Sequence, residues 1–220
     1  MISFFRLLPL LALLAAIPAR ADDIASFTGV EVDTLRGDIT ARLPNKAALA
    51  TVFDSIAPAF RPYAEGAAKA LGEAIRTTRE QAAAACQPIP AGVRQALQPY
   101  FPPDALDRIR WTIADPNRFS LASVMVINKD VEGLALDEVV LFGSCQLARS
   151  RLDLWAHELV HVMQYRAMGV DDFARVYLAS GGNSLEKQAY DWQNHVAEKL
   201  RAGNVTMPPF GPSDPLPPGC

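Results

Sequence analysis

The sequence predicts an α+β fold in which a small sheet lies beside one long helix, with a helical N-terminal portion ahead of both. Three observations carry this. Residues Lys46 to Cys86 are rich in Ala, Leu and charged side chains, a composition that favours helix. Three short β-branched or aromatic runs follow, Arg110–Ile113, Ser123–Asn128 and Glu138–Phe142, separated by Asn117, by Asn128-Lys129-Asp130 and closed by Gly143. An apolar segment from about Arg151 to Met168 then holds His157-Glu158-Leu159-Val160-His161.

In chain order, Met1 to Arg6 is positively charged, Leu7 to Ile17 is apolar apart from Pro9, and Ala19-Arg20-Ala21 fits a small-x-small cleavage site. That layout predicts a secretory signal peptide over residues 1–21, since the apolar run is shorter than the ~20 residues a membrane helix needs. The mature protein is therefore expected to be exported, to a bacterial periplasm or the exterior, with no stable membrane span. Residues 22–87 form the helical N-terminal portion. Pro58 and Pro62 should separate its helices, and the second, Tyr63–Ala85, places Ala67, Ala70, Leu71, Ala74 and Ile75 at helical spacing. Gln87-Pro88-Ile89-Pro90 ends it and marks the internal boundary. The main domain spans 88–205, and a Pro-rich tail, 206–220, cannot be helix or central strand. Within the main domain, Ser150 with Asp153 reads as a capping box and Gly169 as the C-cap of the long helix. After Gly181-Gly182, Ser184 should cap a final helix from Leu185 to about Arg201.

The net charge of -3 falls to -5 once Arg6 and Arg20 leave with the leader, because no acid precedes Asp22. A mildly acidic chain without basic clusters does not suit nucleic acid. The three cysteines all lie in the exported part. In an oxidising compartment one disulfide and one leftover thiol are expected, and Cys86 with Cys145 is the pairing favoured here, because Cys220 ends the tail.

The H-E-x-x-H spacing carries the chemistry. Four residues of helix turn about 400°, so His157 and His161 project from one face one turn apart, where two neutral imidazoles can bind one zinc ion. Glu158 stands beside them as a general base. A catalytic zinc takes a third protein ligand and keeps a position open. The candidates are His195, Glu186 and Glu198, with Asp191 behind them. Glu186 begins the last helix, just past a Gly-Gly turn that can fold it back over the first. His195 is nine residues further on, about half a turn out of phase, so the two cannot easily share one ion. Helix phase selects Glu186. Tyr190, at i+4, could meet a ligand or a developing oxyanion, and Asp191 could orient a histidine from outside. The Glu138–Phe142 strand could bind an extended peptide along its edge.

The stretch Trp155-Ala-His-Glu-Leu-Val-His-Val-Met-Gln164 resembles the eCIS core domain family of bacterial metallopeptidases, whose helix reads L-x-H-E-L-x-H-V-x-Q. Pro90 to Leu97, Asp107 to Arg110 and the strand before the helix are similar to that family's opening. Asn183 to Ala189 is similar to the glutamate-bearing segment of the wider gluzincin group. The resemblance implies a zincin-like metallopeptidase domain with His157, His161 and Glu186 as ligands, Glu158 as base, and a peptide or protein substrate. Gluzincins such as thermolysin often carry an aspartate four residues past the ligand glutamate; here that position is Tyr190, and Asp191 comes one place late. The function expected is zinc-dependent peptide hydrolysis, and the alternative is a non-catalytic, zinc-stabilised binding or scaffold protein of the same fold.

Overall fold

A computed structural model describes residues 61–115, 132–179, 182–203 and 210–220. The expected leader, the lead-in to residue 60 and the expected strand Ser123–Asn128 lie outside these. Helix α1, Arg61–Ala83, is followed by the two-residue strand β1, Gln87–Pro88, and by the short helices α2, Ala91–Leu97, and α3, Pro103–Arg108. Strands β2, Arg110–Ile113, β3, Gly133–Leu136, and β4, Val139–Phe142, complete a sheet of order β1-β2-β4-β3. Helix α4, Cys145–Ser150, leads into α5, Leu152–Ala179, and α6, Asn183–Ala202, ends the regular structure. The described part of the chain is thus α+β, with most of its residues in helices.

The sheet is mixed. Strands β2 and β4 run parallel, while β1 and β3 flank them antiparallel. Val139-Val140-Leu141-Phe142 is buried along its whole length, the pattern of a strand covered on both faces and paired on both sides. It is therefore central, and the expectation that this strand offers a free edge is corrected. The edge belongs to β3, which turns into β4 through Asp137-Glu138, with Asp137 at φ 60°. A two-residue loop with positive φ matches the twist of a hairpin.

Helix α5 is the axis of the molecule. From Leu152 to Tyr165 every residue except Asp153 is buried, so this arm is enclosed by the sheet, α1 and α6. Gly169 interrupts it at φ 81° and ψ 165°, values a side chain would resist, and helix resumes to Ala179. Gly169 thus marks a break rather than the end of helical structure. Helix α1 contributes Ile75 and Ala82 to the core that also holds Val140, Trp155 and Val196, so the boundary near residue 88 separates segments of one core. Arg76 of α1 pairs with Asp171 at 2.6 Å beyond the break, and Arg79 pairs with Asp137 of the hairpin.

Two local expectations change. Ser150 donates its hydroxyl to the Gln146 carbonyl, and Asp153 is engaged by Arg151 and Gln193, so no capping box forms between Ser150 and Asp153. Ser144 instead caps α4, accepting from the Leu147 N–H at 3.2 Å. Gly182, not Ser184, is the N-cap of α6.

The tail departs most from expectation. Cys145 is bonded to Cys220, and Cys86 is free, which corrects the Cys86–Cys145 pairing. Spacing along the chain says nothing about which thiols meet in space. Phe210 packs against Trp111, 5.6 Å between centroids, and Trp111 in turn meets Phe142 and Trp155. Asp214 accepts from the Ala91 N–H at the start of α2 (3.1 Å), where the helix dipole favours a carboxylate.

Candidate metal centre

The first arm of α5 presents His157 and His161 one turn apart, 6% exposed each, with Glu158 at 3%. Glu186 reaches them from the first turn of α6. That approach depends on Gly182, whose φ of 82° and 2.6 Å hydrogen bond to the Tyr177 carbonyl reverse the chain. A Cβ there would stand 3.1 Å from the Tyr177 ring, so both the turn and the packing call for glycine.

The three side chains make a triangle, one ligand atom from each lying within 4.8 Å of the others. His157 Nε2 lies 3.2 Å from His161 Nε2, and the two stand 3.4 and 3.5 Å from the Glu186 oxygens. The carboxylate distances are long for good hydrogen bonds. The 3.2 Å between the two nitrogens matches the ~3.3 Å edge of a tetrahedron whose ligands sit about 2.0–2.1 Å from a central zinc, and the carboxylate straddles the pair with Oε2 towards His157 and Oε1 towards His161. Two nitrogens and a carboxylate are also the donor set of a catalytic zinc, and three ligands leave a fourth position open. These residues fit the ion.

Gln164, fully buried, orients the set. Its Nε2 donates to the Leu185 carbonyl (3.1 Å) and to Gln188 Oε1 (2.8 Å), which turns its own Oε1 to His161 Nδ1 at 2.9 Å. Nδ1 must then carry the proton and donate, leaving the Nε2 lone pair facing Glu186. One side chain thus ties both ligand-bearing helices together. His157 Nδ1 and Glu158 Oε2 are buried with no hydrogen-bond partner among the described residues.

The electrostatics follow burial and charge. Burial favours the neutral acid at Glu186, but the two histidines more than offset it and hold its carboxyl well below the usual carboxylate range. Burial would likewise favour neutral His161, yet Glu186 and Glu158 leave its pKa raised. Glu158 titrates above its ordinary value because desolvation outweighs the pull of the histidines. It nevertheless receives a hydrogen bond from the Ala135 backbone N–H of β3.

A cleft of about 410 Å³ opens on the triangle. Strand β3 forms one wall, and Tyr165, Phe173 and Tyr177 form another. The rings of Tyr165 and Phe173 stack at 3.8 Å, and Phe173 meets His161 edge-on at 6.2 Å. Tyr190 is 55% exposed and lies 4.7 Å, ring to ring, from His157. Asp191 points away: it pairs with Lys187 at 2.7 Å on the outer face of α6, so the reading that it orients a histidine is corrected. Gln164 holds that position instead. His195 packs against Tyr100 and Trp192, apart from the triangle, and Glu198 is exposed.

Sequence reasoning missed β3, Gly133 and the orienting role of Gln164. Gln164 sits at i+3 from His161, a helical neighbour that spacing alone makes available. Gly133, inside an apolar run, was a signal of close backbone approach. Comparison with protein-family models, with curated proteins and with solved structures finds no match to this chain. The functional reading therefore stands on the residues themselves.

Proposed function

We propose that the protein is an exported zinc-dependent peptidase of zincin-like fold, holding one ion through His157, His161 and Glu186. The observation that carries this reading is the donor triangle with Glu158 beside it, all four side chains lining the cleft. A purely structural zinc site would be closed by four protein ligands and would need no buried carboxylate next to it.

Zinc held there would acidify a water towards a pKa of about 7 and polarise a peptide carbonyl. Glu158 takes the proton from the attacking water and returns it to the leaving amine, its raised pKa suiting a group that must both accept and donate. Tyr190, beside His157, is the side chain we assign to the developing oxyanion. The peptide lies along the edge of β3, where the outward carbonyls of Gly133 and Ala135 can pair with an extended chain while the Ala135 N–H holds Glu158. Leu134 and the aromatic wall would receive its side chains.

The test is zinc analysis of the wild type, Glu158→Gln and Glu186→Ala, each assayed on a fluorogenic peptide library. Wild type and Glu158→Gln should each bind one zinc equally, with cleavage reduced about 10²–10⁴-fold in the variant. Glu186→Ala should lose most of its zinc affinity. Equal zinc binding with no cleavage by either form would move the reading to a non-catalytic zinc protein.

A further inference from the structure

We propose that β3 is a backbone clamp for the Glu158 carboxylate, with Gly133 as its positioning residue: the missing side chain at 133 is the space the carboxylate occupies. The inference rests on the reading of Glu158 as the base.

The hairpin register defines which backbone groups are free. Leu136 pairs with Val139 across the Asp137-Glu138 turn, and Gly143 N–H donates to the Glu132 carbonyl at 2.9 Å. Residues 132, 134 and 136 therefore direct their backbone groups at β4, and Gly133 and Ala135 direct theirs to the open edge. It is the Ala135 N–H on that edge that bonds the Glu158 carboxylate. Two residues earlier, a Cβ at 133 would stand 2.5 Å from Glu158 Oε1, 2.9 Å from Cδ and 3.0 Å from Cγ. An exposed glutamate would swing aside, but Glu158 is 3% exposed, on a helix arm buried on all sides. A methyl group at 133 therefore has to displace the carboxylate from the Ala135 N–H or push the strand off the helix.

The backbone at 133 does not need glycine for its own sake, since its φ is not in the left-handed region. At such a position Gly→Ala ordinarily stabilises a protein slightly, by restricting the unfolded chain. The clamp predicts the opposite sign.

The test is a double-mutant cycle in the full chain with Gly133→Ala and Glu158→Asp, read by thermal melting, zinc titration and peptide turnover. Gly133→Ala should lower the melting temperature by about 5 °C, the range for overpacking in a domain of this size. It should bind zinc within about twofold of wild type, because no ligand touches residue 133, and should lose tenfold or more in kcat with KM little changed. Glu158→Asp retracts the carboxylate by one methylene, so the double variant should recover most of the lost melting temperature. A Gly133→Ala protein that melts at or above the wild type, or a cycle with no coupling, overturns the clamp. The melting arm needs no substrate. If Glu158→Gln abolishes turnover while Gly133→Ala keeps it, the clamp alone fails; if Glu158→Gln turns over normally, the base assignment fails.

Discussion

Two regions around the first α5 arm handle polar groups in opposite ways. Where α4 and the tail meet the sheet, polar groups are paired: Trp155 Nε1 donates to the Ala148 carbonyl at 2.8 Å, and both Asp214 oxygens accept backbone N–H groups. Around His157 and His161, two imidazoles and a carboxylate face one another at 3.2–3.5 Å, and His157 Nδ1 and Glu158 Oε2 are buried with no partner among the described residues. A buried polar atom left unpaired costs about 1–3 kcal/mol. A fold that satisfies such groups in one place and leaves them unmet among the described residues less than two turns away marks the second set as unusual. One region secures the chain, and the other gathers His157, His161 and Glu186 within reach of one ion.

That contrast can be broken or sharpened experimentally. The largest effect should come from the securing region. Replacing Cys145 and Cys220 by serine opens a disulfide that spans 75 residues, which should cost about 4 kcal/mol of stability in a denaturant titration while changing zinc affinity less than threefold. A large loss of zinc affinity would show that the regions are not independent. Around the triangle, Gln164→Leu keeps the volume but frees His161 Nδ1. It should weaken zinc binding about 10–100-fold by competition titration, with far less effect on melting of the metal-free protein. Unchanged affinity would remove Gln164 from the site. A third effect, on reactivity rather than stability or affinity, concerns Cys86, whose thiol burial pushes up to about 11 against the opposing pull of Arg110. With so little thiolate, iodoacetamide at pH 8 should modify it roughly a hundredfold more slowly in the folded protein than in denaturant. Equal rates would mean that the thiol is open to solvent.

Much of the helical framework was legible because its signals are local. The periodicity of residues 63–85, the apolar first arm of α5 and the phase of Glu186 against His195 all follow from about 100° per residue, and the structure brings His157, His161 and Glu186 together. The sheet was less legible. Gly133-Leu134-Ala135-Leu136 has neither alternation nor β-branching, so nothing local separates it from helix or loop, and its pairing with β4 defines it. Mistaking β4 for the edge has the same origin, since a strand's place in a sheet depends on partners distant in sequence. The disulfide and Asp191 failed for a related reason. Cys220 meets Cys145 because Phe210 and Asp214 dock the tail, and Asp191 is taken by Lys187, choices decided by surroundings rather than by residue type.

The break at Gly169 has a consequence for how such a molecule can diversify. His157, His161 and Tyr165 lie on one side of it, and Phe173 and Tyr177, which complete the wall of the cleft, lie on the other. A change of bulk or polarity after residue 169 would reshape what the cleft admits without altering the pitch or spacing of the residues before it. The two stretches still meet through space, Tyr165 stacking on Phe173 at 3.8 Å, so one wall of the cleft is built from both sides of a joint that carries no side chain of its own.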